Sequence, residues 1–262
     1  MLILMFMEVL RSGGNMMEYN RRPSNLRLAR YYLINALKFY EMKNERLTPI
    51  IFVILLFTGL IGGFITDAAA VADNIPAYIL INVIVVFILN IASTVYLHSY
   101  ITEIKGGVAS LKESLRHILN NFVKIIFAHL TFAAIIMIGI LLLVIPAIIF
   151  NSMFMFYICY LVDKDMRIKD ALNASKNITT GRRLEIFAIF ILFNLTIFLP
   201  YFIAILMATF TGNNLIVSFV LTFFSSVLVV MQQRLTALIY YDLEYGNKGT
   251  VNDDYDDDFY YM

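Results

Sequence analysis

The chain has 262 residues, of which 60% are hydrophobic and only 15% charged, and its mean hydropathy is +0.77. That composition excludes an ordinary soluble domain and places the chain among integral membrane proteins. A formal net charge of +1 points away from a nucleic-acid partner, and one cysteine, Cys159, leaves no intramolecular disulfide and no cysteine-built metal site.

Residues 1–23 form an N-terminal segment whose short apolar run, Leu2–Met7, has neither the basic start and cleavage site of a signal peptide nor the length of a span. Met16 and Met17 stand just before Glu18-Tyr19-Asn20-Arg21-Arg22, so the expected native start is one of these two methionines. From Ser24 the pattern predicts a helix with Leu26, Ala29, Leu33, Leu37 and Tyr40 on one face, lying on a membrane surface. A first span follows at about Pro49–Thr66, with Gly59 and Gly63 either spaced to let two helices approach or passive. Asp67–Asn74 reads as a loop, and Ile75-Pro76 opens a second span at Ala77–Tyr100.

Gly106-Gly107 then breaks the chain, and Val108, Leu111, Leu115, Ile118, Leu119 and Phe122 recur on one face of a second surface helix. Ile125–Val162 comprises thirty-eight residues without Asp, Glu, Lys or Arg. As one helix it would run ~57 Å, nearly twice the ~30 Å hydrocarbon core of a bilayer. Pro146, which lacks a backbone N–H, divides it into Ile125–Val144, a turn at Ile145–Ala147, and a return span to Val162. Cys159 on that return span reads as a small buried hydrophobe.

Asp163–Glu185 carries a third amphipathic face, Ile168, Ala171, Leu172, Ser175 and Ile178, ending near Gly181. Ile186–Gln233 is again uncharged and divides at Thr211-Gly212-Asn213-Asn214 into two spans, with Pro200 expected to kink the first. The sixth helix continues through Arg234–Tyr245, and residues 246–262, with Asp253-Asp254-Tyr255-Asp256-Asp257-Asp258, read as a disordered acidic tail. The fold expected for residues 24–245 is an all-α polytopic membrane bundle, six spans in three hairpins joined by amphipathic helices.

Of the 20 Lys and Arg, eight precede the first span, four lie between the second and third, six between the fourth and fifth, and two follow the sixth. None remains for the other three loops, so the positive-inside rule places both termini and the amphipathic helices in the cytoplasm, under the cell membrane. Leu111 and Ser114 recur sixty-one residues later as Leu172 and Ser175, each ahead of an apolar span. This hints at a repeated unit of amphipathic helix plus hairpin.

Val144-Ile145-Pro146-Ala147, Leu161-Val162-Asp163-Lys164-Asp165, Asp170-Ala171-Leu172-Asn173-Ala174-Ser175, Gly181-Arg182-Arg183 and Tyr240-Tyr241-Asp242-Leu243 form a set of short strings. Together they resemble the six-helix membrane domain attached to some glycerophosphoryl diester phosphodiesterases, which also stands alone in uncharacterised bacterial and archaeal membrane proteins. The resemblance implies the topology. The phosphodiesterase chemistry of that family belongs to a separate soluble barrel, so no activity is implied for this chain.

No catalytic or metal-binding constellation is expected, because within the predicted spans the ionisable residues are His98, His129, Cys159 and tyrosines. No cofactor is expected either. His98 and His129 share a depth, and a facing pair would be able to shuttle protons or hold a metal; alternatively each sits at the headgroup boundary, bonded to water or a carbonyl. Asn82, Asn90, Asn151 and Asn194 are either interhelical hydrogen-bond glue or a polar path. Two functions remain: a non-catalytic accessory or scaffold engaging membrane lipids, anionic ones included, and a membrane or cytoplasmic protein partner; or a carrier for a lipid or small apolar solute.

Overall fold

The computed structural model describes residues 26–38, 46–71, 74–108, 110–141, 144–212 and 214–246. The expected start at Met16 or Met17 and the acidic tail Asp253–Asp258 lie outside the described residues. Among those residues every regular element is an α-helix. In chain order they are α1 (Ala29–Leu37), α2 (Leu47–Val71), α3 (Ile75–Ile104), α4 (Leu111–Asn120) and α5 (Phe122–Leu141). Then follow α6 (Val144–Phe154), α7 (Tyr157–Lys164), α8 (Ile168–Thr179), α9 (Arg183–Phe210) and α10 (Asn214–Tyr245). Counting α6 with α7, six of these units are long and apolar enough to cross a membrane, the signature of a multi-pass membrane protein.

Most element ends follow local chemistry. Asn74 caps α3, its side chain accepting from the Ala77 N–H at 3.1 Å, with Pro76 in the first turn where its missing N–H is not needed. α2 continues through Val71 instead of stopping at Thr66, because Ala68-Ala69-Ala70 favours helix and contains no breaker. Pro146 opens the return segment as its type predicts, but the helix already starts at Val144, so the expected turn at Ile145–Ala147 is helical. Pro200 lies inside α9 without ending it. α8 stops where Gly181 takes φ +84°, a conformation that costs a side-chain-bearing residue energy.

The fourth span contains a break that the sequence reading missed. Two turn residues, Met155 and Phe156, separate α6 from α7. Elsewhere, Gly139 meets the backbone of α6, where an added Cβ would lie 2.8 Å from Ala147 Cα. Of the two glycines singled out, Gly59 faces Thr222, too close for a Cβ, and Gly63 has open space and is passive; the second close approach is made by Gly62, against Val85.

α2 packs along α3, α5 along α6, and α9 along α10, while α10 also touches α1, α2 and α3. The buried core lies toward the ends of the spans where the charged residues gather, here called the charged pole. Val95, Leu97, Ile101, Phe156, Cys159, Phe193, Leu235 and Tyr240 belong to it.

The three short helices dock on this pole. α1 buries Tyr32 and Ala36 one turn apart and leaves Leu37 exposed, which rotates the expected face. Its Tyr32 finds a carboxylate partner, and that bond outweighs the aliphatic pattern. α4 buries Ser114 and Ile118 and exposes Leu115 and Leu119, and Val108 ahead of it is exposed too, so half of the expected apolar stripe faces outward. α8 follows its expected face, burying Ala171 and Ser175 together with Thr179.

Candidate functional site

The polar side chains singled out in the sequence are held by different partners from those expected. His98, late in α3, stacks on His117 of α4 with ring centroids 4.6 Å apart and 17° between planes, and its Nδ1 lies 3.0 Å from Ser114 Oγ. His129, early in α5, has Nδ1 2.7 Å from the Tyr157 hydroxyl and Nε2 3.5 Å from Thr94 Oγ1. The imidazole pair in the structure is therefore His98 with His117, and His129 belongs to a junction of α3, α5 and α7. Among the described residues no three His, Cys, Asp or Glu side chains converge as metal ligands would.

Among the described residues, three of the four asparagine side chains bond within their own helices. Asn82, Asn90 and Asn194 each donate to the carbonyl one turn back in their own helix, at 2.7 to 2.8 Å. A short polar side chain in an apolar helix satisfies itself most cheaply in this way. Asn151 is exposed on α6. Asn194 nonetheless lines an open cleft of about 420 Å³ between α9 and α10, beside Tyr201, Phe224 and Ser225.

The densest chemistry sits at the charged pole and was read in the sequence only as flanking charge. Asp163 at the end of α7 accepts from Lys105 Nζ at 2.8 Å, from the Tyr240 hydroxyl at 2.9 Å and from the Tyr245 hydroxyl. This carboxylate joins the ends of α3, α7 and α10. Glu244 accepts from the Tyr160 hydroxyl at 2.7 Å and from Lys164 Nζ. Asp242 accepts from the Tyr32 hydroxyl at 2.7 Å, with Arg27 Nε 3.6 Å away, and so fixes α1 to α10. The strings around Asp163 and Tyr240, far apart in sequence, are in direct contact.

Burial opposes the charge on Lys105, but its bonds to Asp163 and Tyr245 outweigh that cost and raise its pKa above the ordinary lysine value. Burial, and then the Asp242 charge beside it, push the Tyr32 phenol above the ordinary tyrosine range. Both groups therefore hold their protons, and the bonds they donate, throughout the neutral range.

Arg234 departs furthest from expectation. Counted in the sequence as a base flanking the sixth span, it is 1% exposed, its guanidinium lying 4.6 Å from the Tyr100 ring centre. Its Nη2 donates to the Asn35 carbonyl at 3.3 Å, while Nε and Nη1 are buried without a hydrogen-bond partner among the described residues. Its position one helical turn before Leu238 on a buried face was the only available signal.

The break in the fourth span is closed from outside the span. The Phe156 N–H donates to Ser175 Oγ at 3.1 Å, Ser175 donates to the Met153 carbonyl at 3.0 Å, and Thr179 Oγ1 reaches the same carbonyl at 3.3 Å. Backbone groups freed inside an apolar core need such partners, since each left unmade costs about 1–3 kcal/mol. Ser114, the counterpart of Ser175, accepts from Ser99 Oγ at 2.7 Å on the span that precedes it. Both serines of the suspected repeat tie a short helix to the span just before it.

No protein-family model, curated protein or solved structure matches the chain. Its functional reading therefore rests on the geometry just described.

Proposed function

We propose that the chain is a non-catalytic accessory or scaffold protein of the cell membrane, its charged pole and both termini on the cytoplasmic side. The resemblance to the six-helix membrane domain agrees with that role without adding an activity. The observation that carries the reading is how the charged pole is built. Asp163, Glu244 and Asp242 join span ends to one another and to α1, giving a braced platform. α4 and α8 are docked on it by Ser114 and Ser175, leaving Lys112, Arg116, Asn173 and Lys176 exposed. On α4 those bases adjoin the outward-facing Leu115 and Leu119, a combination suited to headgroups and the upper acyl region of a cytoplasmic leaflet.

Sidedness is tested in a Cys159→Ser background, where single cysteines at Ala70 and Asn213 should react with an impermeant maleimide on intact cells and one at Ser110 should not. The opposite pattern overturns the orientation. The scaffold role is tested by photo-crosslinking residues placed at Lys112 and Lys176 in cells. A recurrent protein adduct from these sites and none from Met137 is expected; identical adducts at all three would remove the platform as the docking face.

A second reading, a carrier for a lipid or small apolar solute, has one observation in its favour. The cleft between α9 and α10 sets the polar Asn194 and Ser225 among Ile191, Phe198 and Phe224. A stoichiometric ligand retained by the purified protein and lost on Ser225→Phe would favour it over the scaffold.

A further inference from the structure

A cavity of about 530 Å³ opens where the α4–α5 corner faces the start of α8. Its lining is part polar, from Lys124, Arg167, Asn120 and Asn121, and part apolar, from Val123, Phe127 and Ile168. Lys124 stands in the first turn of α5. Two of its three N–H bonds go to Asp165, at 2.5 Å to Oδ1 and 2.9 Å to the carbonyl. Arg167 immediately precedes α8 and uses Nε on Asp170 at 2.9 Å, which leaves its two Nη groups without a protein partner among the described residues. Asn121 donates weakly to the His117 carbonyl at 3.4 Å. Both cations in the lining thus keep unused donors.

The apolar part of the lining decides what kind of anion fits. Val123 and Phe127 lie one turn apart on α5 and are 64% and 58% exposed, so they continue the cavity onto the outer face of an apolar span. A free phosphate has no use for that surface, whereas a phospholipid has both parts. We propose that this cavity is a phospholipid headgroup site, with the phosphodiester against Lys124 and Arg167 and the glycerol and first acyl methylenes along Val123 and Phe127. Its volume falls within the ~300–1,000 Å³ range of small-molecule sites. Asp165 and Asp170 hold the local charge near balance, so recognition comes from fixed donors at a defined place and not from a diffuse basic field. The inference deepens the proposed function, because it takes this pole as the membrane boundary.

The test is native mass spectrometry of the full chain released from detergent, with phosphatidylglycerol as the probe and diacylglycerol of matched chains as the uncharged reference. One phosphatidylglycerol should stay bound, and diacylglycerol should not displace it. Arg167→Gln should weaken retention about tenfold, the scale of one charge-assisted hydrogen bond. The Arg167 side chain is 89% exposed, so its replacement leaves the fold intact. Arg30→Gln removes an equal charge from an exposed position on α1, outside the cavity lining, and should change little. Equal losses in the two variants would mean general electrostatic attraction and overturn the site. Displacement by glycerol 3-phosphate at the same concentration would make it a soluble-phosphate site and overturn the lipid assignment. A wrong orientation would appear in the cysteine labelling and leave these binding ratios unchanged.

Discussion

From Ala92 to Ile101, α3 buries almost every side chain, whereas from Ile79 to Val86 the same helix is largely exposed. The exposed stretch is the more apolar of the two: Ile79, Leu80, Val83, Ile84 and Val86 face outward, while Ser93, Thr94, Tyr96, Ser99 and Tyr100 are enclosed. A water-soluble protein shows the reverse. Hydrocarbon as solvent provides no hydrophobic drive to bury Ile79 or Val83, so helix cohesion falls to small-residue contacts and hydrogen bonds. These bonds concentrate at the charged pole, where Asp163, Asp242 and Glu244 join helices that elsewhere touch through apolar surface.

The largest expected effect comes from removing the centre of that network. Asp163→Ala deprives Lys105, Tyr240 and Tyr245 of their shared acceptor and should cost about 2–4 kcal/mol, read as a lower midpoint in sodium dodecyl sulfate titration of helicity in mixed micelles. A midpoint like that of the unaltered chain would show that the poles do not differ in what holds them.

A smaller effect should separate the two serines. Ser175→Ala leaves the fully buried Phe156 N–H without an acceptor and should cost about 1–2 kcal/mol. Ser114→Ala should cost about 0.5–1 kcal/mol in the same titration, since Ser99 keeps its bond to the Val95 carbonyl at 2.8 Å. The reverse order would mean that the break in the fourth span does not depend on α8.

The smallest change belongs to the far pole. Met137 is 63% exposed, and Met137→Leu should move the midpoint by no more than about 0.5 kcal/mol. A shift comparable with that of Ser175→Ala would show the exposed half to be packed against something, and would erase the contrast along α3.

Hydropathy and the distribution of charge along the chain determined six apolar helices, their approximate limits and the side on which charge collects. These are properties of single segments, set by the length and composition a bilayer demands of each one. The inward face of α8 was legible for a related reason, since its apolar period and its docking face coincide at Ala171 and Ser175. Only the tertiary structure decided the rest. Whether Arg234 lies under Tyr100 or in solvent, whether His98 meets His117 or His129, and whether the Phe156 N–H is satisfied by its own helix or by Ser175 depend on which helices come together. A polar group in an apolar bundle takes whatever partner packing brings within about 3 Å, and nothing within its own segment specifies that partner.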